Sequence, residues 1–174
     1  MTLVTEDGTG LANAEAFATV VQFKAYCDAR GISYASITPD TAIEQALRKG
    51  ADYMEQVYRE RWGGMLTTTT QALGWPRSLV EMRDAPGLYP GIQSYYYPDN
   101  TVPTQVRNAN IELAVRAASA DLLGDLEQGI ASETVGPITT VYDKGTPQSK
   151  RYPAIDRMLA PLLQGGGGIR LVRG

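Results

Sequence analysis

The stretch TPDTAIEQALRKGADYMEQVYR, residues 38–59, decides the fold class. Thr38 offers a capping hydroxyl, Pro39 suits a first helical position, and Asp40 places an acid in the first turn, where the helix dipole favours it. Ile43, Leu47, Met54, Val57 and Tyr58 then recur mostly at helical spacing, with Ala46 and Ala51 between them. The pattern predicts an amphipathic helix to about Arg59, carrying the poor helix former Gly50 in its middle.

Working outward, Val20 to Ala29 reads as a short helix with Val20, Phe23 and Cys27 on one face and Gly31 as a left-handed stop. The preceding dozen residues, with Gly8 and Gly10, read as an extended arm or loop. Downstream, Pro103 opens a second long helix through Leu123, extending at most to Gln128, with Gly129 beyond it. It carries two apolar rows: Val106, Leu113, Ala117 and Ala120, and Ile111, Val115, Ala118 and Leu122. A helix apolar on two sides is either buried centrally or shared between two partners, and its alanines permit close approach of a neighbour. A last helix spans Pro153 to Leu163, with Ile155, Leu159 and Leu162 or Leu163 facing in and Pro161 weakening its final turn.

Helical periodicity vanishes from Trp62 to Val102, a stretch rich in Gly, Thr and Pro that nevertheless holds Trp75, Tyr89 and Tyr95-Tyr96-Tyr97. Those aromatics predict an ordered loop, because long structureless loops inside compact domains are uncommon. Trp75 suits a staple over the loop's own core, with an interface role as the competing reading. The adjacent tyrosines suit a contact surface, since neighbouring side chains cannot all point inward. Residues 131–143 include SETVGPITTVY, whose β-branched residues and Gly136-Pro137 predict a strand or hairpin arm with a bend. Gly165 to Gly168 reads as a flexible hinge before Ile169-Arg170-Leu171-Val172-Arg173, which alternates like a strand. The expected architecture is mainly α: a small helical bundle with a long ordered central loop (62–102), a short β arm and an extended C-terminal tail. Residues 1–163 form its domain and 164–174 a Gly-hinged docking tail. Candidate interface residues are Trp75, Tyr95, Tyr96, Tyr97, Ile169, Arg170, Leu171, Val172 and Arg173.

Composition excludes much. At 174 residues, 43% hydrophobic and 20% charged, the chain suits one globular domain. No segment reaches the roughly 20 apolar residues of a membrane span, and the first ten residues lack the basic and apolar regions of a signal peptide. The lone Cys27 precludes an internal disulfide and suits a reducing compartment. With no histidine, the commonest general base and metal ligand is missing, and neither a cofactor site nor an enzyme activity is expected. The helical acid pairs Asp40/Glu44 and Asp121/Asp125 fit a helix start and a solvated face. Gly8-Thr9-Gly10 lacks the third glycine of a dinucleotide loop, and Gly165 to Gly168 lacks the Lys-Ser/Thr of a phosphate loop. The net charge of −3 is uneven. Residues 144–174 hold Lys144, Lys150, Arg151, Arg157, Arg170 and Arg173 against Asp156 alone. Such a segment suits an acidic partner, protein or nucleic acid.

Several blocks together are similar to a phage and prophage family often labelled DnaT-like single-strand DNA-binding proteins. They are Glu6 to Ala14 (EDGTGLANA), Ala46 to Tyr53, Gln71 to Arg77 (QALGWPR), Val102 to Leu123, Val135 to Ile138, and Tyr152 to Leu163. The loop around Tyr89 to Asp99 and the glycine tail depart from that pattern. The family's helix–helix–loop–helix layout also resembles phage head–tail connector (adaptor) proteins. That likeness implies a structural homo-oligomer, a dodecameric ring in the virion neck beneath the portal protein, made in the host cytoplasm. It would contact portal and tail or tail-completion proteins, and duplex DNA would slide through its channel without specific binding. An acidic channel wall, which repels phosphate, suits this reading. The alternative is a single-strand DNA-binding or replication accessory protein, which needs a positive groove and stacking aromatics. A generic helical oligomerisation module is the third reading.

Overall fold

The computed structural model of the protein describes residues 2–82, 84–85, 95–124, 132–135, 138–141 and 150–164. Helix α1 (Val20–Arg30) starts from a capping box: the Thr19 hydroxyl accepts from Gln22 N at 3.1 Å, and Gln22 Oε1 accepts from Thr19 N at 3.0 Å. Gly31, at φ 63°, ends it in the left-handed conformation that glycine adopts without penalty.

Helix α2 (Asp40–Tyr58) buries Ile43, Ala46, Leu47, Gly50, Ala51, Tyr53, Met54 and Tyr58. Thr38 does not cap it. The Thr38 hydroxyl donates instead to Ala35 O at 3.3 Å, and Pro39 takes the cap position without a side-chain bond. A 3₁₀ turn, Arg59–Arg61, follows, then a short antiparallel ladder of β1 (Met65–Leu66) and β2 (Arg77–Ser78).

Helix α3 (Thr104–Ala117) stops short of the expected Leu123. Ser119 N and Ala120 N both donate to Arg116 O, the Ser119 hydroxyl donates there too, and Asp121 Oδ1 accepts from Leu123 N. Ser and Asp side chains offer the backbone local partners that compete with the helical ladder. The chain then turns Leu122 back into the core at 3% exposure, while Leu123 stays 39% exposed. Strands β3 (Ser132–Val135) and β4 (Ile138–Val141) pair antiparallel, with Ser132 opposite Val141 and Val135 opposite Ile138. Gly136-Pro137, expected as the bend, lies outside the described residues. Helix α4 (Pro153–Leu159) passes into a 3₁₀ turn, Ala160–Leu162, at Pro161, which has no N–H for a helical bond.

The fold is thus mainly α, with helices α1 to α4 joined by two small antiparallel ladders. Its centre is the crossing of α2 over α3, and it is close because Gly50 sits there. A Cβ on Gly50 would lie 2.9 Å from both Asn110 Nδ2 and Asn110 O, and 3.2 Å from Leu113 Cβ. Asn110, fully buried, uses the contact: its Nδ2 donates to Leu47 O at 2.9 Å and its Oδ1 accepts from Phe17 N at 3.1 Å. One side chain thereby ties the N-terminal segment, α2 and α3 together.

Two clusters of buried side chains flank the crossing. Val106, Ala109 and Leu113 of α3 join Tyr53, Met54, Tyr58, Trp62, Trp75, Ile155 and Leu159 in one. Ile111 and Ala114 join Phe23, Cys27, Ile37, Ile43 and Leu47 in the other. Both apolar rows of α3 are therefore used inside a single chain. Ala118 and Ala120, expected on those rows, are exposed beyond the helix end.

Candidate functional site

Three features singled out in the sequence resolve into structural roles. The first is the EDGTGL loop. Glu6, 4% exposed, accepts Gly8 N and Gly10 N on Oε1 and Leu11 N on Oε2, each at 2.9 Å. These amides face an internal carboxylate, so they are not free to cradle a phosphate. Gly8, at φ 107°, also lies so close to Asn100 that a Cβ would overlap its carbonyl.

The second is Trp75, which is wholly buried and therefore not a surface of the folded chain. Its ring meets Trp62 edge-on at 5.9 Å, and rings of this size bury about 150–250 Å² each. Around this pair the Arg77 guanidinium donates to Gly63 O (2.6 Å), Gly64 O (3.0 Å) and Gly74 O (3.3 Å). Burial holds the Arg77 pKa below its ordinary value. Glu55 Oε1 accepts from Gly74 N at 2.6 Å, and burial raises its pKa. Gln71 Nε2 donates to Leu73 O and Pro76 O. QALGWPR is a lock that fastens the loop to α2.

The third is the tyrosine run. Residues 95–97 line up against 80–82: Met82 N donates to Tyr95 O, Tyr97 N to Val80 O, and Tyr96 bridges Glu81. Tyr97 packs against the core, whereas Tyr95 and Tyr96 are 45% and 48% exposed. Tyr97 thus joins the cluster that holds Trp75, and the exposed Tyr95 and Tyr96 do not form one surface with that buried ring. Ile169, Arg170, Leu171, Val172 and Arg173, with the glycine hinge, lie outside the described residues.

The concentration of chemistry lies elsewhere. A cleft of about 620 Å³ is lined by α2 (Tyr53, Gln56, Val57), the turn after it (Arg61), the segment after α3 (Leu122–Gly124), and the approach to α4 (Lys150, Arg151), with Asp156 on α4. Tyr53, Gln56 and Val57 share a helix face because they stand three and four residues apart. Hydrogen bonds set the floor. Tyr53 OH donates to Lys150 O at 3.0 Å, Tyr58 OH donates to Asp156 Oδ1 at 2.8 Å, and Lys150 Nζ donates to Asp121 O at 3.0 Å. Burial, reinforced by the Asp156 charge, pushes the Tyr53 pKa up to about 12 and that of Tyr58 higher still.

Three cations, Arg61, Lys150 and Arg151, thus border one cleft on a chain of net charge −3. Asp156 offsets them in part: its carboxylate, which accepts from Tyr58, stands 3.9 Å from Arg61, and Lys150 and Arg151 have no acid of the cleft left to balance them. The basic segment was visible in the sequence and contains Lys150 and Arg151. Tyr53 and Arg61 gave no such signal, since they join the site only through the packing of α4 and its approach on α2.

A family model described as "Putative DnaT-like ssDNA binding protein" matches residues 1–174. The chain belongs to that family. This corrects the head–tail connector reading, since the full-length match is to DnaT-like single-strand DNA-binding proteins and not to a connector family. The fold removes one of that reading's physical supports, because the two-sided α3 is covered on both sides by its own chain. Neither a curated protein nor a solved structure matches the chain. Among the described residues, no helix is long and apolar enough to cross a membrane.

Proposed function

We propose that this DnaT-like protein binds single-stranded DNA, with Arg61, Lys150 and Arg151 holding the phosphate backbone at the cleft between α2 and the approach to α4. The reading is one of binding, not catalysis. Membership of the family supports it, and the observation that carries it is the meeting of these three cations in one concave surface. Electrostatic contact with phosphates is the principal source of affinity in non-specific nucleic-acid binding. Exposed aromatic rings add stacking that tolerates any base, and Tyr95 and Tyr96 are the exposed rings of the described chain suited to it.

The test is fluorescence anisotropy with a labelled oligothymidylate and a duplex of equal length, titrated at several salt concentrations. The single strand binds more tightly. Three phosphate contacts give a slope of log K against log salt of about −2 from these residues, and Arg151→Ala or Lys150→Ala each flattens the observed slope by about 0.7. Both variants keep the backbone carbonyl that holds Tyr53. Slopes that stay at the wild-type value in both variants remove the cleft from the binding surface.

A further inference from the structure

The cleft has two chemistries, and the phosphate reading uses only one of them. Opposite in character to the three cations, Val57 and Leu123 give it an apolar surface, with Leu122 and the ring of Tyr53 beneath. Leu123 is 39% exposed, a large apolar side chain left in contact with water among the described residues, whereas its neighbour Leu122 is 3% exposed. Gln56, exposed on the same face of α2, carries both a donor and an acceptor, so it can pair with the edge of any base. A volume of about 620 Å³ falls in the ordinary range of small-ligand pockets, about 300–1,000 Å³.

We infer that the cleft takes one unpaired nucleotide, its base against Val57 and Leu123 and its phosphate on Arg61, Lys150 and Arg151. The inference rests on the single-strand reading above and supplies its selectivity. A base in a duplex is stacked on both faces and has its pairing edge occupied, so it cannot enter without being unpaired first. An unpaired base leaves water for the apolar wall, while its phosphate stays within reach of the cations. Charge complementarity selects this occupant over an apolar peptide: Asp156 offsets one cation, Arg61, and Lys150 and Arg151 leave the cleft with a positive surplus.

The experiment compares an oligothymidylate with an abasic sugar–phosphate oligomer of the same length, by competition anisotropy against wild-type protein and Leu123→Ser. Wild-type protein binds the thymidylate about tenfold more tightly than the abasic oligomer, as expected when roughly 60 Å² of base surface leaves water for an apolar wall. Leu123→Ser, at an exposed position, narrows that gap by weakening the thymidylate more than the abasic oligomer. Arg151→Ala weakens both ligands alike. Equal wild-type affinity for the two oligomers overturns the inference and leaves phosphate-driven single-strand binding standing. A gap unchanged in Leu123→Ser overturns it as well, because the base is then held elsewhere. Failure of the wild-type protein to bind either oligomer overturns the single-strand reading together with the inference.

Discussion

Replacing Gly50 with alanine sets local preference against tertiary packing, and the two predict opposite signs. In a helix interior glycine is about 1 kcal/mol less favourable than alanine, so propensity alone makes Gly50→Ala stabilising. The crossing of α2 and α3 says otherwise. The new Cβ would stand 2.9 Å from Asn110 Nδ2 and from Asn110 O, and 3.2 Å from Leu113 Cβ. The amide nitrogen belongs to a side chain held at both ends, and the carbonyl belongs to the α3 backbone, so neither gives way by rotating a free side chain. Overpacking of this kind costs about 1–3 kcal/mol. After the propensity gain is subtracted, the expected change is a net loss of up to about 2 kcal/mol. Urea unfolding followed by circular dichroism measures it as a lower midpoint at unchanged slope. In an Asn110→Ala background the side-chain half of the clash is gone, and the effect of Gly50→Ala shrinks by about 0.5 kcal/mol or more. A midpoint that rises in Gly50→Ala would refute the reasoning, since it would show that α3 moves aside at little cost.

Other perturbations test other contacts. Asn110→Ala leaves the buried Phe17 N–H without its acceptor and lowers stability by about 2–3 kcal/mol, read by the same unfolding assay. Glu6→Gln turns an amide NH2 either to Leu11 N–H or to those of Gly8 and Gly10, donor against donor, so stability falls by about 1–3 kcal/mol and proteolysis near Gly8 quickens. Alkaline titration tests Tyr53 and Tyr58, whose folded-state pKa values lie above the ordinary 10.0. Between that value and about 12 for Tyr53, the unfolded chain loses its phenolic proton while the folded chain keeps it, so stability is full below pH 10 and falls as pH rises. The fall is about 1.4 kcal/mol per pH unit for each group, and Tyr58→Phe removes one share of that slope.

Much of the scaffold was legible because its determinants are local. The row Ile43, Ala46, Leu47, Met54 and Tyr58 marks α2, Gly31 ends α1, and Pro161 ends the α-helical part of α4, all through contacts within a few residues. Local rules failed where a side chain found a better partner nearby. Thr38 turned to Ala35 instead of capping α2, and Ser119 and Asp121 closed α3 early. Trp75 could be weighed as a staple or a surface from composition alone, but only the indole of Trp62 against it and the guanidinium of Arg77 around it place it in the core. The tyrosine run divided in the same way: strand-like alternation puts Tyr96 and Tyr97 on opposite faces, Tyr97 turned in and Tyr96 out, while Tyr95 is exposed as well, which alternation does not give.

The sequence by itself determined that the chain is mainly helical, that it has no histidine to offer, and that its cations gather late in the chain. These are matters of periodicity and composition, which need no partner to be read. Tertiary structure alone decided that the two apolar rows of α3 face two halves of one core, that Gly50 is a contact and not a flaw, and that Arg61 meets Lys150 and Arg151. Each of those outcomes joins residues tens of positions apart in the chain, and such pairings follow from how helices stack and not from the preferences of any one segment.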